Sequence, residues 1–111
     1  MARVEDYPRY VEEIIERYSQ YKPAYGDVEV QTIIDREHHH YQLVNVGWNK
    51  NHRIRGCVLH VDIKDNRIWI QHDGTETGIA NELVEIGVPK QDIVLAILAP
   101  YKRQYSDFAV N

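Results

Sequence analysis

Apolar positions along the first 21 residues recur at spacings of three and four. Val4, Tyr7, Val11, Ile14, Tyr18 and Tyr21 fall on one face, widened by Ile15, while Glu12, Glu13, Glu16 and Arg17 point elsewhere. This predicts an amphipathic helix from Asp6 or Tyr7 to about Tyr21. Pro8 fits its first turn, where a missing N–H costs nothing. Lys22-Pro23 is read as its stop, and Tyr25-Gly26-Asp27 as the turn out of it.

From residue 28 the period changes to two. Four strands are predicted: Val28 to Ile34, Tyr41 to Trp48, Arg53 to Lys64, and Arg67 to His72. The first places Val28, Val30, Thr32 and Ile34 on one face. Asn49-Lys50-Asn51 is a turn built from residues that tolerate left-handed backbone. Asp65-Asn66 is a tight two-residue loop, and such a loop sets register. With Lys64 opposite Arg67, Ile63 faces Ile68, Val61 faces Ile70 and Leu59 faces His72, all on one side. Asp62 opposite Trp69 and His60 opposite Gln71 occupy the other. One apolar and one polar face describe an antiparallel sheet covered on one side by helices. Cys57 shares parity with Leu59 and Val61, so it reads as a buried, inert thiol.

A second helix is expected from about Thr77 to Ile86, with Ile79, Leu83 and Ile86 buried. Asp73 or Thr75 would cap its start and Gly87 would end it. Pro89 opens a short helical turn through Asp92, before the apolar run Ile93 to Leu98. The stretch from Pro100 to Phe108 is too aromatic for a free tail and is expected to pack back. The fold class is α+β: an N-terminal helix, a four-stranded antiparallel meander, then one or two C-terminal helices. At 111 residues the chain is expected to form a single domain, residues 1–111.

Charge and cysteine content narrow the function classes. A net charge of −4 disfavours broad binding to a phosphate backbone, which depends on Lys and Arg displacing counterions. One cysteine permits neither an internal disulfide nor a thiolate metal cluster within the chain. No apolar run approaches the roughly 20 residues of a membrane span, and MARVEDYPRY is not a signal peptide. A cytoplasmic protein without membrane association is expected.

Several constellations carry chemistry. His72, Asp73 and Glu76 lie close together in Gln71-His72-Asp73-Gly74-Thr75-Glu76, a combination used in metal and acid–base sites. A strand-to-helix turn capped by Asp-Gly-Thr uses the same residues for folding, and this structural reading is preferred. His38-His39-His40 with Glu37 is read as a solvated loop, because consecutive side chains alternate faces and do not converge on one ion. His60, Asp62, Trp69 and Gln71 form the preferred interaction patch, a tryptophan among hydrogen-bonding neighbours. A face covered by the C-terminal tail is the competing reading. Lys50, His52, Arg53 and Arg55 make a basic edge, read as phosphate-contacting or as protection of a strand edge. No helix-turn-helix, phosphate loop, serine elbow or dinucleotide fingerprint is present. No catalytic residue, metal ligand or cofactor is assigned.

The strings Val46-Gly47-Trp48, Gly56-Cys57-Val58, Asp62-Ile63-Lys64, Trp69-Ile70-Gln71-His72-Asp73-Gly74-Thr75-Glu76, Gly78-Ile79-Ala80 and Gly87-Val88-Pro89, with Arg103-Gln104-Tyr105 and Phe108-Ala109-Val110, resemble the XisI family over nearly the whole chain. The resemblance implies the same fold of helix, four-stranded meander and further helix. It also implies a controlling factor for excision of the fdxN element, a programmed DNA rearrangement carried out by a site-specific recombinase in nitrogen-fixing cyanobacteria. The implied partner is an XisH-like protein, of a type that resembles endonuclease-fold proteins. No catalytic residues come with the family.

The first expectation is therefore a non-enzymatic accessory factor that binds an XisH-like protein and, through it, a recombinase complex, with DNA contacted indirectly. Its partner-binding candidates are His60, Asp62, Trp69, Gln71, His72, Asp73 and Glu76. The alternative is a direct DNA-binding modulator using Arg53, Arg55, Lys102 and Arg103. The third is a small metal-dependent hydrolase at His72 and Asp73. Self-association into a homo-oligomer stays open.

Overall fold

The computed structural model describes residues 3–21 and 26–111. After a 3-10 turn at Val4–Asp6, α1 spans Tyr7–Tyr18 with Pro8 in its first turn. Tyr7, Val11, Ile14 and Ile15 are buried, as their spacing predicts. The helix stops three residues earlier than the apolar stripe suggests. Gln20 N donates to Arg17 O and Tyr21 N to Tyr18 O, the tighter i to i+3 pattern of a closing turn. Val4 and Tyr21, which lie outside the helix, are consequently exposed rather than buried. The proposed stop at Lys22-Pro23 and the Tyr25 part of the following turn lie outside the described residues.

The sheet contains β1 (Asp27–Asp35), β2 (His40–Asn49), β3 (His52–Lys64), β4 (Arg67–Asp73) and β5 (Ile93–Leu95), in spatial order β1-β2-β3-β4-β5. The four expected strands lie where the alternation puts them and pair antiparallel. Asp65 and Asn66 have φ of 54° and 62°, the left-handed pair of a two-residue hairpin loop.

The four-stranded antiparallel meander needs correction, because β5 adds a fifth strand parallel to β4 and makes the sheet mixed. Between them the chain crosses through α2 (Ile79–Ile86), which returns it in the same direction. Ile93 and Val94 are fully buried. Their continuous apolar run carries no period to distinguish strand from helix. Ala109 then pairs with Val94 outside β5, its N–H donating to Ile93 O at 2.9 Å. The tail therefore packs back through Phe108 and Ala109, while Tyr101 and Tyr105 stay exposed.

Two β-bulges correct the predicted register. Lys64–Arg67, Ile63–Ile68, Asp62–Trp69 and Val61–Ile70 pair as expected, but the register shifts between His60 and Val61. Gln71 becomes the extra residue, so His60 faces His72 and Leu59 faces Asp73. His72 is therefore exposed on the polar face instead of sitting beside the core. A second shift between Leu43 and Val44 leaves Val58 unpaired. Val58 and Leu59 both turn to the core, and Cys57 passes to the opposite face, where it is half-buried. A two-residue period cannot carry either insertion.

The core lies between the helices and one face of the sheet, with Tyr41, Leu43, Leu59, Val61, Ile68 and Ile70 packed under Ile79, Leu83 and Val88. Burying each large aliphatic side chain contributes roughly 1.5–3 kcal/mol. Ile86, expected in this layer, is exposed. Gly87 reverses the chain at φ 121°, and Val88 N donates to Leu83 O, so Val88 is the residue that turns inward. Tyr7 Oη donates to Asp92 Oδ2 at 2.5 Å and ties α1 to the segment before β5. Burial and the Asp92 carboxylate push the Tyr7 phenol upward in pKa.

Candidate functional site

Three strands place the polar side chains of the uncovered sheet face. Asp62 stands in β3 between His40 of β2 and Trp69 of β4, each directly opposite it. Its carboxylate is the hub. Asp62 Oδ1 accepts from His40 Nδ1 at 2.8 Å and from His60 Nε2 at 3.1 Å, and Oδ2 accepts from Gln71 Nε2 at 3.2 Å. The carboxylate is mostly shielded, at 17% side-chain exposure, so its charge is answered chiefly by these donors. The hydrogen bond to Asp62, aided by the Asp62 and Asp35 charges, pushes the His40 imidazole above the usual histidine range.

Trp69 stands beside this hub. Its indole Nε1–H donates to Lys64 O at 3.3 Å. Lys64 Nζ lies 4.2 Å from the ring centre, and Arg103 Cζ lies 5.7 Å away. Arg103 arrives from the 3-10 segment Pro100–Tyr105 and is oriented by its own backbone. Its Nε donates to Leu98 O at 3.0 Å and a terminal nitrogen to Ala96 O at 3.4 Å. The C-terminal segment thus reaches the face at Trp69, and these Arg103 bonds go to the segment itself rather than to His60, Asp62 or Gln71.

The structure brings together His60, Asp62, Trp69 and Gln71 from the predicted set. The Gln71 bulge adds His72, opposite His60. His40 was missed as a member. Its alternation was legible, but its register against β3 was not, because the bulge at Leu43/Val44 lies between His40 and the distant β2–β3 turn.

Asp73 and Glu76 do not join them. Asp73 Oδ1 accepts from Thr75 N at 2.9 Å and Thr75 Oγ1 at 2.5 Å, while Oδ2 accepts from Ile79 N at 2.9 Å. Thr75 Oγ1 in turn accepts from Gly78 N at 3.1 Å. Both residues thus organise the start of α2, with Gly78 as its N-cap. Glu76 borders a concavity of about 930 Å³ on the helix side, lined also by Tyr18, Val30, Leu43 and Val58.

The cations considered for DNA contact do not form one patch. Arg53 lies over Trp48, 5.4 Å from its ring, near the β2–β3 turn. Arg55 and Asp62 are seven positions apart in β3, roughly 23 Å of strand, whereas Arg103 is at Trp69, opposite Asp62. Lys102 extends over the exposed Tyr101. The three consecutive histidines take three different partners: His38 binds Asp35 Oδ2 at 2.9 Å, His39 binds Tyr41 Oη at 2.9 Å, and His40 joins Asp62. Glu37 contributes its backbone N–H to Asp35. No group of three or more His, Cys, Asp or Glu side chains is arranged to hold a metal ion among the described residues. Cys57 lines a separate hollow with Ile33, Val44 and Val46, and burial pushes its thiol up in pKa, away from the nucleophilic thiolate. Among the described residues no helix is long and apolar enough to cross a membrane.

Known proteins match nearly the whole length of the chain. The family model described as XisI protein matches residues 1–110. A XisI-like protein from Anabaena variabilis ATCC 29413 is 47% identical, with a TM-score of 0.91, covering 98% of this chain and 100% of that one. The fdxN element excision controlling factor XisI from the same organism is 29% identical, with a TM-score of 0.85, covering 97% of this chain and 98% of that one. No curated protein matches the chain. With both the family model and the solved structures spanning the fold, the chain belongs to the XisI family.

Proposed function

We propose that this chain is a non-enzymatic controlling factor for excision of a DNA element, and that it acts by binding an XisH-like protein through the uncovered sheet face. The observation that carries the reading is the Asp62 hub with its neighbours. A shielded carboxylate fixes His40, His60 and Gln71 beside a half-buried tryptophan, a pre-ordered polar surface around an aromatic anchor. Membership of the XisI family, and the name of the Anabaena relative as an excision controlling factor, support the process. The separation of Arg53 and Arg55 from Lys102 and Arg103, together with the net charge of −4, favours indirect over direct contact with DNA.

The test is co-purification with the XisH-like protein encoded nearest to it, followed by sizing. A stoichiometric complex that is lost in a folded Trp69→Ala variant is expected. A complex that survives Trp69→Ala unchanged would remove the sheet face from the mechanism. Salt-sensitive binding of element-end DNA by the chain alone, without any complex, would put direct DNA contact in its place.

A further inference from the structure

Lysine and arginine divide into two classes along this chain. Arg3, Arg9, Arg17 and Arg36 each pair with a carboxylate: Glu5, Asp6 and Glu13, Glu82, and Glu12 respectively. Among the described residues, no lysine or arginine after Arg36 has such a partner. Three of these unpaired cations gather at one end of the open sheet face. Lys64 and Arg67 stand directly opposite each other across the β3–β4 hairpin, a like-charge pair without a carboxylate partner, Arg67 Nε donating only to Gln91 O at 3.1 Å. Arg103 completes the group above Trp69.

Arg103 is the informative member. It is half-buried and oriented by Leu98 O and Ala96 O, yet these bonds leave guanidinium N–H groups unused. An oriented, partly desolvated guanidinium with free donors, beside an ammonium over the same indole, is built to receive an anion.

We infer that Lys64, Arg67 and Arg103 around Trp69 form a receptor for carboxylates on an acidic polypeptide segment of a protein partner. The inference rests on the proposed use of this face and deepens it by giving the partner's chemistry. Nucleic acid fits less well, because Glu29 and Asp62 share the face and would repel a continuous phosphate track. The Trp69 ring is also occupied by cations rather than open for base stacking.

The experiment is a titration of the ¹⁵N-labelled full chain with a capped hexaglutamate peptide at low salt, following both indole N–H signals. Trp48, at the far end of the sheet and beside Arg53, is the internal control. A saturable shift of the Trp69 signal alone is expected, weakened about tenfold or more in Lys64→Gln and in Arg103→Gln, the scale of one lost charge-assisted hydrogen bond. Lys64→Gln removes only an exposed head group, so it reads the site even where Arg103→Gln loosens the C-terminal segment.

No shift, or equal shifts at both tryptophans, would overturn the inference. Tighter binding of an oligothymidylate at the same signal would assign the site to nucleic acid instead. The titration needs no XisH-like protein. If that protein still binds through Trp69 while hexaglutamate does not, the acidic-segment inference alone fails. If hexaglutamate binds and the XisH-like protein does not, the proposed partner alone fails.

Discussion

At the scale of single residues, Asp62 determines how the open face responds to pH. His40 holds its proton more firmly in the folded chain than in the unfolded one, chiefly through its hydrogen bond to Asp62. Its contribution to stability is therefore fully present below the unfolded histidine value of about 6.5. That contribution is lost as pH rises through the higher folded value. Asp62→Asn should bring the His40 titration down toward the ordinary range, as followed by NMR of its ring proton. An unmoved His40 titration would show that Asp62 is not its anchor. The Asp62–Trp69 pairing was legible because a two-residue loop lies only a few positions away. His40 was not, since its placement depends on a strand pair interrupted by an extra residue.

Between residue and fold, the Gln71 bulge does two jobs. It turns His72 outward and brings Asp73 opposite Leu59, where the Asp73 carboxylate reaches the first turn of α2. Asp73→Ala should therefore cost about 1–2 kcal/mol, the range for lost capping bonds. Urea unfolding measures this, and binding of the XisH-like protein by the folded variant should be unchanged. The reverse pattern, full stability with lost binding, would return Asp73 to the interaction surface. The capping role was readable from Asp-Gly-Thr before an apolar helix. The bulge was not, because an inserted residue leaves no mark on alternation until the partner strand is known. Strand β5 escaped for a related reason: three buried residues in an apolar run carry neither a period nor a turn signal of their own.

For the molecule as a whole, the sheet has one face under helices and one face uncovered, and sequence order equals spatial order. Each strand from β2 to β4 lies beside the one made just before it. These local pairings close short loops and favour rapid formation. The parallel β5 is different, because it must wait for α2 to cross the sheet, and Ala109 must then find Val94. In refolding, amide protection of β1 to β4 should precede that of Ile93–Leu95, as pulse-labelled hydrogen exchange would show. Simultaneous protection would mean the sheet forms as one unit. On the ribosome the same order leaves the outer edge of β4 bare until 22 further residues have emerged, counting from Asp73 to Leu95. That interval is when a nascent chain is most exposed to strand pairing with its neighbours, and a substitution that slows the crossover would act on yield before it acted on the finished fold.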